Sequence, residues 1–152
     1  MTDKGELAKS YFLQGYNCTQ AVCLAFAEEI NMDADTIVKM VSAFGGGMGR
    51  MREVCGAVSG MFFVLGCLEG YNDPKDSAGK MALYQKVQEL AGEFRSANGS
   101  IICRELLSGK IPNVSDAPEP SPRTEEYYKK RPCPEVIAMA ARILQNQILP
   151  KK

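Results

Sequence analysis

Apolar residues recur along this chain at the three-to-four-residue spacing of helices, and no stretch alternates apolar and polar residues over strand length. Glu6 to Gln14 reads as a first helix with Leu7, Tyr11 and Phe12 on its buried side, closed by Gly15 and Tyr16. Asn17 caps a second helix, Cys18 to Ile30, and Gln20 stands where a capping-box partner belongs. A third starts at Asp33 or Asp35, with Ile37, Val38, Met40 and Val41 as its apolar side. FGGGMGRMRE, Phe44 to Glu53, breaks the pattern, because four glycines in five residues cannot hold a helix interior.

The segment Cys55 to Gly70 is apolar on every side and predicts a buried central helix at about 55–69. Its small residues Gly56, Ala57, Ser59 and Gly60 let another backbone come close. After the turn YNDPKD, a long helix runs from Asp76 or Ser77 to about Ala97, ended by Asn98-Gly99. Ser100 caps a short one, Ile101 to Leu107. Six of the eight prolines fall between Pro112 and Pro134, so residues at about 110–133 form a loop, long enough to suggest a covering or functional role. Pro134 suits the first turn of a last helix reaching about Gln147. There is no internal repeat and no domain boundary. The expected fold class is all-α: residues 1–152 as a single helical domain, a bundle of about six to seven helices.

Composition narrows the chemistry. Lys+Arg and Asp+Glu balance at 18 each, and no basic stripe with interleaved aromatics is present, so nucleic acid is not an expected partner. The start, MTDKGELAKS, has no apolar signal core, and the apolar stretch Val54 to Leu68 is too short to span a bilayer, so a cytoplasmic protein off the membrane is expected. Six cysteines in that compartment should be reduced, and such cysteines are more often catalytic or metal-binding than structural. There is no histidine. That removes Cys-His pairs, Ser-His-Asp triads and mixed Cys/His zinc sites.

The helix map sorts the cysteines. Cys18, Cys55, Cys103 and Cys133 fall at predicted helix starts, where unpaired N–H groups and the macrodipole favour a thiolate. Cys55, near Arg50 and Arg52, ranks first for reactivity. Cys23 and Cys67 lie inside helices among apolar neighbours and read as small buried hydrophobes. No C-x-x-C occurs, so any pair must form by tertiary convergence. FGGGMGR reads first as a flexible turn that lets the central helix pack tightly. Its alternatives are an anion cradle and a clearing above the Cys55 thiol. Tyr127 to Arg131 reads as a solvated stretch, or else as positive charge beside Cys133.

GYNCTQAV around Cys18, FGGGMGR and VCGAVSG around Cys55, ICRELL around Cys103 and RPCPEVIAMAARIL around Cys133 together resemble the redox-active protein family named for its C-GCAxxG-C-C cysteine pattern. The match runs from Gly15 to about Leu144. One departure is that Cys55-Gly56 stands in the opposite order to the family's glycine–cysteine. The resemblance implies a small prokaryotic protein with redox activity whose four named cysteines correspond to Cys18, Cys55, Cys103 and Cys133. It implies no particular substrate.

Three functions follow as expectations. The first is thiol redox chemistry or electron transfer with an unidentified redox partner, a thiol oxidoreductase being one form of it. Here Cys55 is the low-pKa thiolate and Cys18, Cys103 or Cys133 resolves it. The second is a metal site, with the four cysteines as ligands of zinc or an iron–sulfur cluster. The third is a helical interaction module with incidental cysteines. The oligomeric state is left open, a homodimer included.

Overall fold

The computed structural model describes residues 2–148; the outermost residues of the expected domain lie outside these. Among the described residues the chain is all-α. There are ten helical segments: α1 Lys4–Leu13, α2 Cys18–Ala25, α3 Ala27–Ile30, α4 Ala34–Met40, α5 Gly45–Met48, α6 Gly56–Glu69, α7 Ser77–Asn98, α8 Cys103–Leu107, α9 Glu125–Lys130 and α10 Cys133–Ile148. A 3-10 turn, Ser42–Phe44, precedes α5.

The count exceeds the expected six to seven for local reasons. The expected second helix breaks at Phe26, whose φ of -110° and ψ of 18° leave the helical region, and Asn31 ends α3 in a left-handed conformation. The glycine stretch closes into the short coil α5, whose Gly46 and Gly47 are left-handed. The proline-rich loop contains α9, capped by Thr124. The other boundaries follow the side-chain chemistry. Asn17 and Gln20 form the capping box of α2, Asp33 caps α4 and Asp76 caps α7. The Ser100 hydroxyl accepts from the Ile102 amide, so α8 starts at Cys103 rather than Ile101.

The core lies where α1, α2, α6 and α10 meet, with Phe12, Phe26, Met61, Leu65, Ile137 and Leu144 among its fully buried side chains. On α1, Ala8 and Phe12 are buried while the expected Leu7 and Tyr11 are half-buried at the margin. On α4, Ile37 is buried and Met40 is exposed. α6 is buried from Gly56 to Leu65 apart from the half-buried Ser59, Phe62 and Phe63, but its last turn from Gly66 to Glu69 is exposed. No helix among the described residues is long and apolar enough to cross a membrane.

Helices α2 and α6 come close enough that a Cβ on Gly60 would lie 2.9 Å from Val22 Cβ. Gly92, in the middle of α7, has no neighbour within 4 Å of such a Cβ. The same substitution should therefore act with opposite signs. Gly60→Ala overpacks the interface and should cost about 1–3 kcal/mol, whereas Gly92→Ala should add about 0.5–1 kcal/mol through helix propensity. Chemical denaturation of both variants checks the pair; equal effects would contradict the packing.

Candidate functional site

Each of the four cysteines selected from the sequence opens a helix. Cys18, Cys103 and Cys133 are the first residues of α2, α8 and α10, and Cys55 is the N-cap of α6. All four line one cavity of about 290 Å³.

Backbone geometry brings them together. Cys18 meets α6 at Gly56, where a Cβ would come within 2.9 Å of Cys18 Cβ, and the Thr19 hydroxyl donates to the Gly56 carbonyl at 2.8 Å. Cys55 and Cys103 approach through an antiparallel bridge between Val54 and Ile102. The Cys55 amide donates to the Ile101 carbonyl at 2.8 Å and the Cys103 amide to the Glu53 carbonyl at 2.7 Å. Cys133 is carried in by α10, which packs on α1, α2 and α6.

The segment between the glycine coil and Cys55 forms one wall. Gly46, Gly47, Met48, Gly49, Arg50 and Arg52 all have φ between 58° and 73°, the left-handed region. For the three non-glycine residues this conformation costs about 1–2 kcal/mol each. It is held by the Arg52 amide donating to the Gly46 carbonyl and the Glu53 amide to the Gly47 carbonyl, at 3.3 and 2.8 Å. The result turns Arg52 inward, leaving it 4% exposed. Its Nε donates to the Ser115 carbonyl at 2.8 Å and its Nη1 lies 3.7 Å from Cys103 Sγ.

The proline-rich segment forms the opposite wall through Pro118, Pro120 and Ser121. Arg123 pins it. Its guanidinium donates to the carbonyls of Phe12 and Tyr16 at 3.3 and 3.2 Å and lies 4.5 Å from the centre of the Phe12 ring. The loop expected to have a functional or covering role thus contributes to the cavity wall. Arg131 lies over Tyr127 at 4.4 Å, and both face the cavity, so the stretch read as solvated is in part a wall of the site.

The thiols differ sharply. Burial pushes Cys55 up to about 12, with the Ala57 and Val58 amides offsetting part of the effect. Burial also raises Cys103, against the pull of Arg52. Cys18 is raised well above its ordinary value, first because its thiol donates toward Cys133. Cys133 alone is lowered, to about 7, by that donation, which outweighs its burial, and then by Arg131, Arg52 and Arg123. The expectation that Cys55 is the most acidic thiol is corrected: Arg52 reaches Cys103 instead, burial raises Cys55, and Cys133 is the one of the four held below its ordinary value.

Cys23 is fully buried, its Sγ 3.7 Å from the Gly60 carbonyl, and burial raises it. Cys67 is exposed on the last turn of α6, which corrects its reading as a buried hydrophobe. Among the described residues no group of three or more Cys, Asp or Glu side chains is arranged, as placed, to hold a metal ion. Arg123 was missed from the sequence. Its one signal is its nearness to Tyr127 and Tyr128, rings a guanidinium can stack on.

Fold and site define an all-α protein that gathers four helix-start cysteines on one arginine-rich cavity. The chain belongs to the family described as "Putative redox-active protein (C_GCAxxG_C_C)", whose model matches residues 16–147. No curated protein and no solved structure matches it significantly.

Iodoacetamide labelling of the reduced native protein, followed at each cysteine by mass spectrometry, should show Cys133 reacting with a midpoint near pH 7. Cys55 should stay unreactive into alkaline solution. Cys18→Ala removes the donor and should move the Cys133 midpoint upward, as should Arg131→Gln. A Cys133 midpoint at or above that of a free thiol contradicts this ordering.

Proposed function

We propose that the protein performs thiol–disulfide exchange, with Cys133 as the attacking thiolate and Cys18 as the resolving thiol. The observation that carries this reading is the convergence of four helix-start cysteines on one cavity, two of them facing each other with unequal acidity. Membership of a family described as redox-active supports it.

The step balances as follows. The Cys133 thiolate attacks one sulfur of a bound disulfide, forming a mixed disulfide and expelling the other sulfur as a thiolate, which takes a proton from water. Cys18 loses its proton and attacks the Cys133 sulfur. A Cys18–Cys133 disulfide forms and the second substrate thiol leaves. The substrate disulfide has gained two electrons, which the two cysteines have lost in forming their bond; of the two protons it takes up, one comes from water and the other is the proton that Cys18 gives to the departing sulfur. Cys55 and Cys103, whose backbones are joined through the Val54–Ile102 bridge, line the same cavity.

Disulfide mapping after titration in a glutathione redox buffer tests this. The Cys18–Cys133 bond should form and break reversibly. Cys133→Ser should abolish disulfide reduction, and Cys18→Ser should trap a mixed disulfide on Cys133. Cys23→Ser, away from the cavity, should retain activity. Undiminished reduction by Cys133→Ser, or a protein with no reversible disulfide, sinks the proposal.

A further inference from the structure

The cavity carries an electrostatic imbalance that thiol exchange alone does not use. Arg50, Arg52, Arg123 and Arg131 line it, and no Asp or Glu does. Arg52 is buried, and its bonds go to a carbonyl and a thiol; no carboxylate pairs with it among the described residues. Arg50 Nε is buried without any hydrogen-bond partner. Burial and the like charges of Arg52 and Arg131 both disfavour the Arg50 cation. A buried cation without an anion is costly, and a single Cys133 thiolate offsets one charge of four. Planar guanidinium groups favour carboxylates, which they can bind through two parallel hydrogen bonds. At about 290 Å³ the cavity is at the lower end of small-molecule pockets, about 300–1,000 Å³, so it admits a small molecule rather than a protein segment.

We propose that this cavity binds a small disulfide bearing carboxylate groups, held by Arg50, Arg52 and Arg131 with its sulfurs toward Cys133. This rests on the thiol-exchange reading and names its substrate class.

Three small molecules separate the two ideas. Dithiodiglycolate is a dianionic disulfide, cystamine a dicationic one of similar size, and adipate is the unreactive carbon analogue of the first. The reduced protein should bind adipate in calorimetry and reduce dithiodiglycolate with a higher kcat/KM than cystamine. Arg52→Gln should weaken adipate binding at least about tenfold, the loss of one charge-assisted hydrogen bond, and should shrink the preference. Arg131→Gln, at a half-buried position, gives the same readout if the Arg52 variant does not fold. If adipate binds through these arginines but neither disulfide is reduced, the anion site stands and thiol exchange falls. If both disulfides are reduced equally and adipate does not bind, exchange stands and the anion site is overturned.

Discussion

A Cβ on Gly56 would sit 2.9 Å from that of Cys18, and one on Gly47 would sit 2.6 Å from that of Cys103. Real Cβ atoms do not approach so closely, so both positions must lack a side chain for the cysteines to keep their places. Gly47 also has a φ of 73°, which an L side chain rarely adopts. The helix starts that bear Cys18 and Cys103 therefore close on the cavity only because two glycines let backbone pack on side chain. Everything else about the site depends on that closeness: the burial of the sulfurs, the inward turn of Arg52 and the small volume of the cavity.

Closeness sets up a contest between burial and charge. All four thiols share a helix start, and a helix N-terminus favours an anion by about 0.3–1 kcal/mol. Desolvating a thiolate works against that and wins at Cys55 and Cys103, both raised. Cys133 escapes because it has two further sources of support, a thiol donor in Cys18 and the arginine-lined wall. The donation from Cys18 is the largest influence on Cys133, ahead of its burial and of Arg131, Arg52 and Arg123, and it acts in the direction of the thiolate.

This is why the sequence put the four cysteines at helix starts and did not order their acidity. Helix periodicity and the caps Asn17, Asp33 and Asp76 are local, and they located the helices and put the four cysteines at their starts. Acidity at Cys133 comes first from Cys18, more than a hundred residues away in the chain, then from Arg131 two residues before it and from Arg52 and Arg123 on separate segments. Of these, only Arg131 leaves a local trace. Arg50 and Arg52 are near Cys55 in sequence, but the left-handed run from Gly46 to Arg52 aims Arg52 at Cys103. Exposure of Cys67 was hidden for a related reason. An apolar helix does not announce which of its turns its neighbours fail to cover.

The same pairing gives the proposed thiol exchange a timing that a histidine-free site would otherwise lack. The cavity wall holds no Asp or Glu, and its Tyr127 is pushed up by burial, so no side chain there other than a thiol can take up a proton near neutrality. Cys18 keeps its proton because it donates toward the Cys133 sulfur and faces that sulfur's negative charge. Once Cys133 is bound in a mixed disulfide, its sulfur is neutral. The two leading influences that Cys133 exerts on Cys18, the donated hydrogen bond to a thiolate and the repulsion between like charges, then disappear. In the proposed exchange Cys18 is thereby freed of both influences when its thiolate is required, and burial remains as what still raises it. In the proposed exchange the resolving step is coupled to the attacking step through the Cys18–Cys133 pair, whose opposite shifts set the order of the two thiols.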